Sequence, residues 1–204
     1  MAKGFDTTAN CAGVAAQLKA AGYDFVGRYY AHTGSKRLSA AEAKAVSGAG
    51  LQLVTVWEAA PTTTRYFSRA RGIDEGTSAY HAALLVGQPA GSAIYFAVDY
   101  DAPQAAIAGA IADYFRGIGD GFAAIAGNTA PAYRIGVYGS GASCSAMIGH
   151  GLARLSWLAQ STGWSGYGTY SGWNIKQGAE TTLLGLAVDP DEGVEDFGAF
   201  LVPV

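Results

Sequence analysis

The strongest constraint on the fold is an alternation. Strand-like runs "GFDTT", "DFVGRYYA", "LQLVTVWEA", "AIYFAVDYD" and "YRIGVYGS" are separated by runs with apolar residues at helical period: "CAGVAAQLKAAG", "SAAEAKAVSGAG", "EGTSAYHAALLVG" and "QAAIAGAIADYFRGI". Ser39 followed by Glu42 reads as a capping box, and Gly22, Gly50 and Gly87 follow the last residues of three helices. Strand, helix, strand, helix calls for parallel strands joined by helical crossovers. After "YGSGASCSAMIGHG" the rhythm changes. "LSWLAQS", "TYSGWNIKQG" and "GLAVDPDE" still read as strands, but Gly-rich turns replace the helices. The expected fold is α/β: a TIM-like (β/α) barrel, about five βα units followed by three strands with reduced helices. A doubly wound open sheet is the alternative. Its mark is a Gly-rich phosphate loop after the first strand, and "DTTANCAG" is not one.

Composition narrows the function. A chain of 204 residues, 50% hydrophobic and 14% charged, supports one sizeable core, so residues 1–204 are read as one domain. A net charge of −3 supplies no basic field for nucleic acid or an anionic membrane surface. No apolar run approaches the roughly 20 residues of a membrane span. Cys11 and Cys144 are far apart, in no metal-type spacing, and read most simply as buried thiols, with a disulfide the other reading. His32, His81 and His150 are scattered, so neither a metal nor an organic cofactor is implied.

Barrel chemistry sits at the C-terminal ends of the strands. Read there, the strands end in Asp6; in Arg28, Tyr29 and Tyr30; in Trp57 and Glu58; in Asp99 and Asp101; in Tyr138; in Trp157 and Gln160; in Trp173 and Gln177; and in Asp189. Each has an ordinary reading as well. Asp6 before two threonines can cap a turn, Glu58 can be a solvated loop residue, and Asp189 with Asp191 can form a turn in "VDPDEG". Arg28 can neutralise a neighbouring acid. The pair in "IYFAVDYDAP" is harder to explain that way. Residues i and i+2 of a strand share a face about 6–7 Å apart, so Asp99 and Asp101 repel, and burial raises at least one pKa. Such a cost suits a site in which one acid stays protonated and another ionised. Acids and aromatics without a nucleophile elbow, a Walker loop or a dinucleotide fingerprint point to glycoside chemistry.

The motifs "GFDTT", "FVGRYYA", "IYFAVDYDA" and "GVYGSG", with the late Trp and Asp strands, resemble a bacterial glycoside-hydrolase-like family, formerly a domain of unknown function. That family is distantly similar to the Chalaropsis-type lysozymes, family 25 of the glycoside hydrolases. The resemblance runs from Gly4 to about Phe200. It implies a barrel of five βα units followed by three strands. It also implies an acid-lined site, carried by position onto Asp6, Asp99, Asp101 and Asp189. Where the lysozymes carry a general-acid Glu, this chain has Asp101, one methylene shorter.

The expected function is hydrolysis of a β-linked, N-acetylated, peptidoglycan-like cell-wall polysaccharide. Asp101 is expected as general acid with Glu58 as substitute, Asp99 as the group orienting the substrate acetamide, and Asp6 as a further catalytic carboxylate. Arg28, Tyr30, Trp57, Tyr138, Trp157, Gln177 and Asp189 are expected to bind substrate. The alternative is a weakly active or inactive carbohydrate-binding module on the same fold, which the shorter Asp101 favours. "MAKGFDTTAN" lacks the apolar core of a signal peptide. Cytoplasmic synthesis, with any delivery to the wall by a non-classical route, is therefore the expectation.

Overall fold

The computed structural model describes residues 1–31, 34, 36–127 and 132–203; His32 lies outside them. The chain runs β1 (Ala2–Asp6), α1 (Ala15–Ala20), β2 (Phe25–Tyr30), α2 (Ala40–Gly48) and β3 (Gln52–Trp57). A 3₁₀ turn (Thr64–Tyr66), α3 (Arg69–Val86) and β4 (Ala93–Ala97) follow. Next come α4 (Gln104–Ala106), a π turn (Ile107–Ile111), α5 (Ala112–Ala126), β5 (Arg134–Gly139) and α6 (Gly141–Gly149). Four strands end the series: β6 (Leu155–Leu158), β7 (Ile175–Gln177), β8 (Thr181–Leu183) and β9 (Leu186–Gly193).

Strands β1 to β7 pair in sequence order and all in parallel. β9 then closes the sheet, pairing antiparallel with β7 on one side and β1 on the other. The result is an eight-stranded (β/α) barrel in which five βα units lead into the helix-poor strands β6, β7 and β9. The antiparallel direction of β9 is the one departure from the parallel order of β1 to β7. β8, which was not anticipated, forms a hairpin with the start of β9. Its two-residue turn, Leu184 and Gly185, has φ of 50° and 81°. Two positive φ values are what a tight hairpin needs, but leucine is a poor residue for them, so no turn signal was visible.

The alternation of the strands divides the core into two layers. Phe25, Val54, Val56, Tyr95, Leu155, Trp157 and Ile175 fill the barrel. Phe5, Val26, Tyr30, Leu53, Phe96 and Val137 face the helices. The C-terminal segment closes the end of the barrel opposite the site. Phe197 packs its ring 4.6 Å from that of Phe25, and its carbonyl accepts from the Tyr95 hydroxyl at 2.9 Å.

Helices α3 and α5 pack at backbone contact. A Cβ at Gly72 would lie 2.0 Å from the Tyr114 carbonyl oxygen, and one at Gly117 would lie 2.2 Å from that of Arg69. The α3 helix starts six residues before the expected "EGTSAY" run, at a cap where the Ser68 hydroxyl accepts from the Arg71 amide at 3.2 Å. The capping box at α2 is only half formed. Ser39 accepts from the Glu42 amide at 3.2 Å, but the Glu42 carboxylate turns away to Arg28 and the Cys11 amide. Both cysteines are buried free thiols.

Candidate active site

Every second residue of a strand points into the barrel, and at the C-terminal rim those residues are mostly polar. β1 presents Asp6, β2 Tyr29, β5 Tyr138, β6 Trp157 and β7 Gln177, each in register with an inward residue of its neighbour. Glu58 and Asp99 continue the inward faces of β3 and β4 by one step, past Val56 and Ala97. Because β9 runs antiparallel, its residues enter from the rim. Asp189 is thus paired with Asp6, and Asp191 lies one inward position deeper, opposite Gly4 and Gln177.

Asp6 is the centre of this arrangement. It is buried, Oδ1 accepts from the Tyr29 hydroxyl at 2.7 Å, and Oδ2 accepts from Gln177 Nε2 at 2.7 Å. Gln177 Oε1 accepts from the Tyr138 hydroxyl at 2.9 Å and from the Gln160 amide at 3.2 Å. Gln160 Nε2 lies 3.4 Å from Asp189 Oδ1. Beneath them Trp157 Nε1 donates to Asp191 Oδ1 at 2.9 Å, while the buried Oδ2 of Asp191 has no hydrogen-bond partner among the described residues. Burial pushes the Asp6 carboxyl up to about 7, against the two hydrogen bonds and with Asp189 and Glu58 adding repulsion. Burial raises Asp191 well above the carboxylate range, and Asp6 raises it further. A protonated Asp191 is the form that a carboxyl buried beside another acid adopts.

Nearer solvent, Lys36 Nζ lies 2.9 Å from Glu58 Oε1 and 4.9 Å from the centroid of the Tyr29 ring. Asp99 is half-buried, its amide held by the Pro61 carbonyl at 2.9 Å. Its pKa is raised by burial and by Glu58, and Lys36 opposes the shift. Glu58 makes the direct contact with the ammonium, and Asp99 feels it only at longer range. The space enclosed among Asp6, Tyr29, Glu58, Tyr138 and Trp157 is only about 10 Å³. A space of that size does not admit a saccharide ring into the barrel.

The other residues expected at the site lie elsewhere or serve differently. Asp101 is exposed, beyond the end of β4, and both its oxygens accept from Ser165: Oδ1 from the amide at 2.9 Å, Oδ2 from the hydroxyl at 3.1 Å. Arg28 and Tyr30 point out of the barrel, because they alternate with the inward Gly27 and Tyr29. Arg28 pairs with Glu42, and the Tyr30 hydroxyl donates to Gln88 at 2.8 Å. Trp57 faces the helices as well, one residue before the inward Glu58. Trp157 is inward but buried, with its ring edge-on to Tyr95 and Tyr138, so it supports the site floor. Gln160 and Asp191, named at the strand ends but given no role, join the network, as does Lys36, which was not named. Counting in twos along the strand from Asp189 leads to Asp191 on the same face; nothing local marks Lys36.

Residues 16–190 match the family described as "Rv2525c-like, glycoside hydrolase-like domain". The chain is 34% identical over 180 residues to the uncharacterized protein YbfG of Bacillus subtilis, across 81% of this chain and 24% of that protein. It spans about a quarter of the length of the two curated B. subtilis relatives that it matches. Among solved structures, the Tat-secreted protein Rv2525c of Mycobacterium tuberculosis aligns with a TM-score of 0.77 at 20% identity, over 97% of this chain and 98% of that one. A bacterial lysozyme from Streptomyces coelicolor aligns with a TM-score of 0.58 at 17% identity, over 94% and 91%. At these identities the structural likenesses speak to the fold, a barrel shared with lysozymes. On the family match and the curated relatives together, the chain belongs to the Rv2525c-like, glycoside hydrolase-like domain family.

Proposed function

We propose that this chain is a glycosidase acting on a β-linked, N-acetylated cell-wall polysaccharide, with its site at the C-terminal rim of the barrel. The observation that carries the reading is the placement of Glu58 and Asp99 one inward step beyond the ends of the neighbouring strands β3 and β4. One carboxyl is raised by burial, and the other is held against Lys36. Glycoside cleavage uses two carboxyl groups in distinct environments. Asp99 is assigned as the group that protonates the leaving oxygen. Glu58, in its ion pair with Lys36, faces the positive charge that develops at the anomeric carbon, alone or with the substrate's own acetamide oxygen. Asp6, Tyr29, Tyr138 and Gln177 fix the floor, and Asp189 contacts substrate from β9. Asp101 holds the 161–167 loop through Ser165, with a direct role in proton transfer as the alternative. Export to the wall is part of this reading; the structurally similar Rv2525c is Tat-secreted.

The test is release of reducing ends from purified peptidoglycan and from chitin oligomers. Wild type is expected to release them, and Asp99→Asn and Glu58→Gln to lose about 10²–10⁴-fold in rate. Asp101→Asn is expected to lose far less; a loss as large as that of Asp99→Asn would move the acid role to Asp101. A second reading is a wall-binding module without turnover. It is favoured by the engagement of both Asp101 oxygens with Ser165. Wild type that sediments with cell walls yet releases nothing would establish that reading against the first.

A further inference from the structure

The outer wall of the barrel is bare where β7, β9 and β1 meet, because no helix lies in the described chain between β6 and β9. Outward residues of these strands, with Tyr23 and Tyr167 as side walls, line a cavity of about 470 Å³. That volume is within the range of small-molecule and peptide sites. Register places Glu192 of β9 opposite both Lys3 of β1 and Lys176 of β7. Cross-strand neighbours of opposite charge ordinarily pair. Here they do not: among the described residues no ion pair joins Glu192 to either lysine. Lys3 Nζ instead lies 4.2 Å over the Tyr23 ring, and Lys176 Nζ lies 5.5 Å from the Tyr167 ring centroid. Each ammonium leans outward on an aromatic wall, and the carboxylate stands between them with Pro190 on the floor. Strand spacing of about 4.8 Å puts the two lysine-bearing strands roughly 10 Å apart. The cavity thus offers positive, negative and positive groups in a row.

A ligand complementary to that row carries two carboxylates with an amine between them, on a backbone spanning about three residues. We infer that this groove binds the peptide branch of the wall polymer, whose γ-linked glutamate carboxylate, lysine-type amine and terminal carboxylate have this order. The inference rests on the cell-wall reading above for the choice of peptide, but its chemistry is separate from turnover. Gln177 and Asp191 line both the groove and the site network, so a single layer of barrel wall separates the two.

The experiment is calorimetric titration of the whole chain with N-acetyl-L-Ala-γ-D-Glu-L-Lys-D-Ala, carrying no sugar. The comparisons are the same peptide acetylated on its lysine and an all-L Glu-Lys-Glu peptide. Wild type is expected to bind the first, and the Lys3→Gln/Lys176→Gln double variant to bind it at least about tenfold more weakly. Acetylating the peptide's lysine is expected to weaken binding to wild type but not to Glu192→Gln. Cleavage of peptide-free chitin oligomers, measured in parallel, is expected to be unchanged in these variants, so failure of the groove and failure of the glycosidase reading are told apart. Absence of binding, binding indifferent to the lysines, or equal binding of the all-L peptide would each overturn the assignment.

Discussion

Arg28 is fully buried, with Nε 2.7 Å and Nη2 3.2 Å from the two carboxylate oxygens of Glu42, and Nη1 donating to the Thr7 carbonyl. Glu42 also accepts from the Cys11 amide at 2.9 Å. One ion pair therefore ties β2, the start of α2 and the loop after β1, just behind the strand that presents Tyr29. Its work is positional. Removing one member of a buried pair strands the other, which costs about 3–5 kcal/mol. Arg28→Leu is accordingly expected to lower unfolding stability by about that amount in urea titration. A substrate-binding arginine would instead leave stability in place and raise KM, and that result would restore Arg28 to the site. In the sequence, Arg28 and Tyr29 are equally polar strand-end residues. Which one faces the barrel depends on parity, and parity is fixed by the neighbours Gly27 and Trp157. A Cβ at Gly27 would lie 2.7 Å from the Trp157 ring.

Among the elements, α3 and α5 show how glycine spacing sets a packing distance. Gly72 and Gly76 of α3 face Tyr114, Gly117 and Ile118 of α5, and Gly117 and Gly121 face the carbonyls of Arg69 and Ile73. These contacts are with backbone, which cannot rotate away as a side chain can. Gly117→Ala is expected to destabilise by about 1–3 kcal/mol through forced separation of the helices. Gly119 is the control on the same helix. A Cβ there meets nothing within 4 Å, so Gly119→Ala is expected to stabilise by about 0.5–1 kcal/mol through helix propensity alone. Thermal melts of the two variants check this; stabilisation by Gly117→Ala would refute the close-packing account. The glycines in "RARGIDEG" weaken the local helix signal, and the helical run legible in the sequence begins only at Glu75. Their purpose is visible only with α5 in place.

At the scale of the molecule, barrel closure decides the electrostatics. β9 returns antiparallel beside β1 and brings Asp189 and Asp191 against Asp6. The folded Asp6 carboxyl titrates at about 7, against an ordinary 3.8, so between those values the folded chain holds a proton that the unfolded chain has released. The contribution is therefore fully present below about pH 4, is lost as pH rises through 7, and is level above that. Urea midpoints are expected to fall across this interval, and Asp6→Asn to flatten the fall. A wild-type midpoint that rises steadily from pH 4 to 7 with no change in Asp6→Asn would rule this out.

The alternation of "GFDTT", "FVGRYYA", "LVTVW" and "IYFAVDYD" with helical runs was enough to determine a barrel of five βα units and three late strands, because hydrophobic period and crossover handedness are local properties. The acids at the strand ends were legible for the same reason: barrel strands carry their polar residues at one end. Tertiary structure alone decided which of them meet. Inward or outward facing depends on what each strand packs against, and this separated Tyr29 from Arg28 and Glu58 from Trp57. The direction of β9 depends on closing the sheet, and it made Asp191 a partner of Asp6. A loop near Ser165, 64 residues along the chain from Asp101, engaged that carboxylate, while Asp99 and Glu58 continue the inward faces of β4 and β3 at the rim.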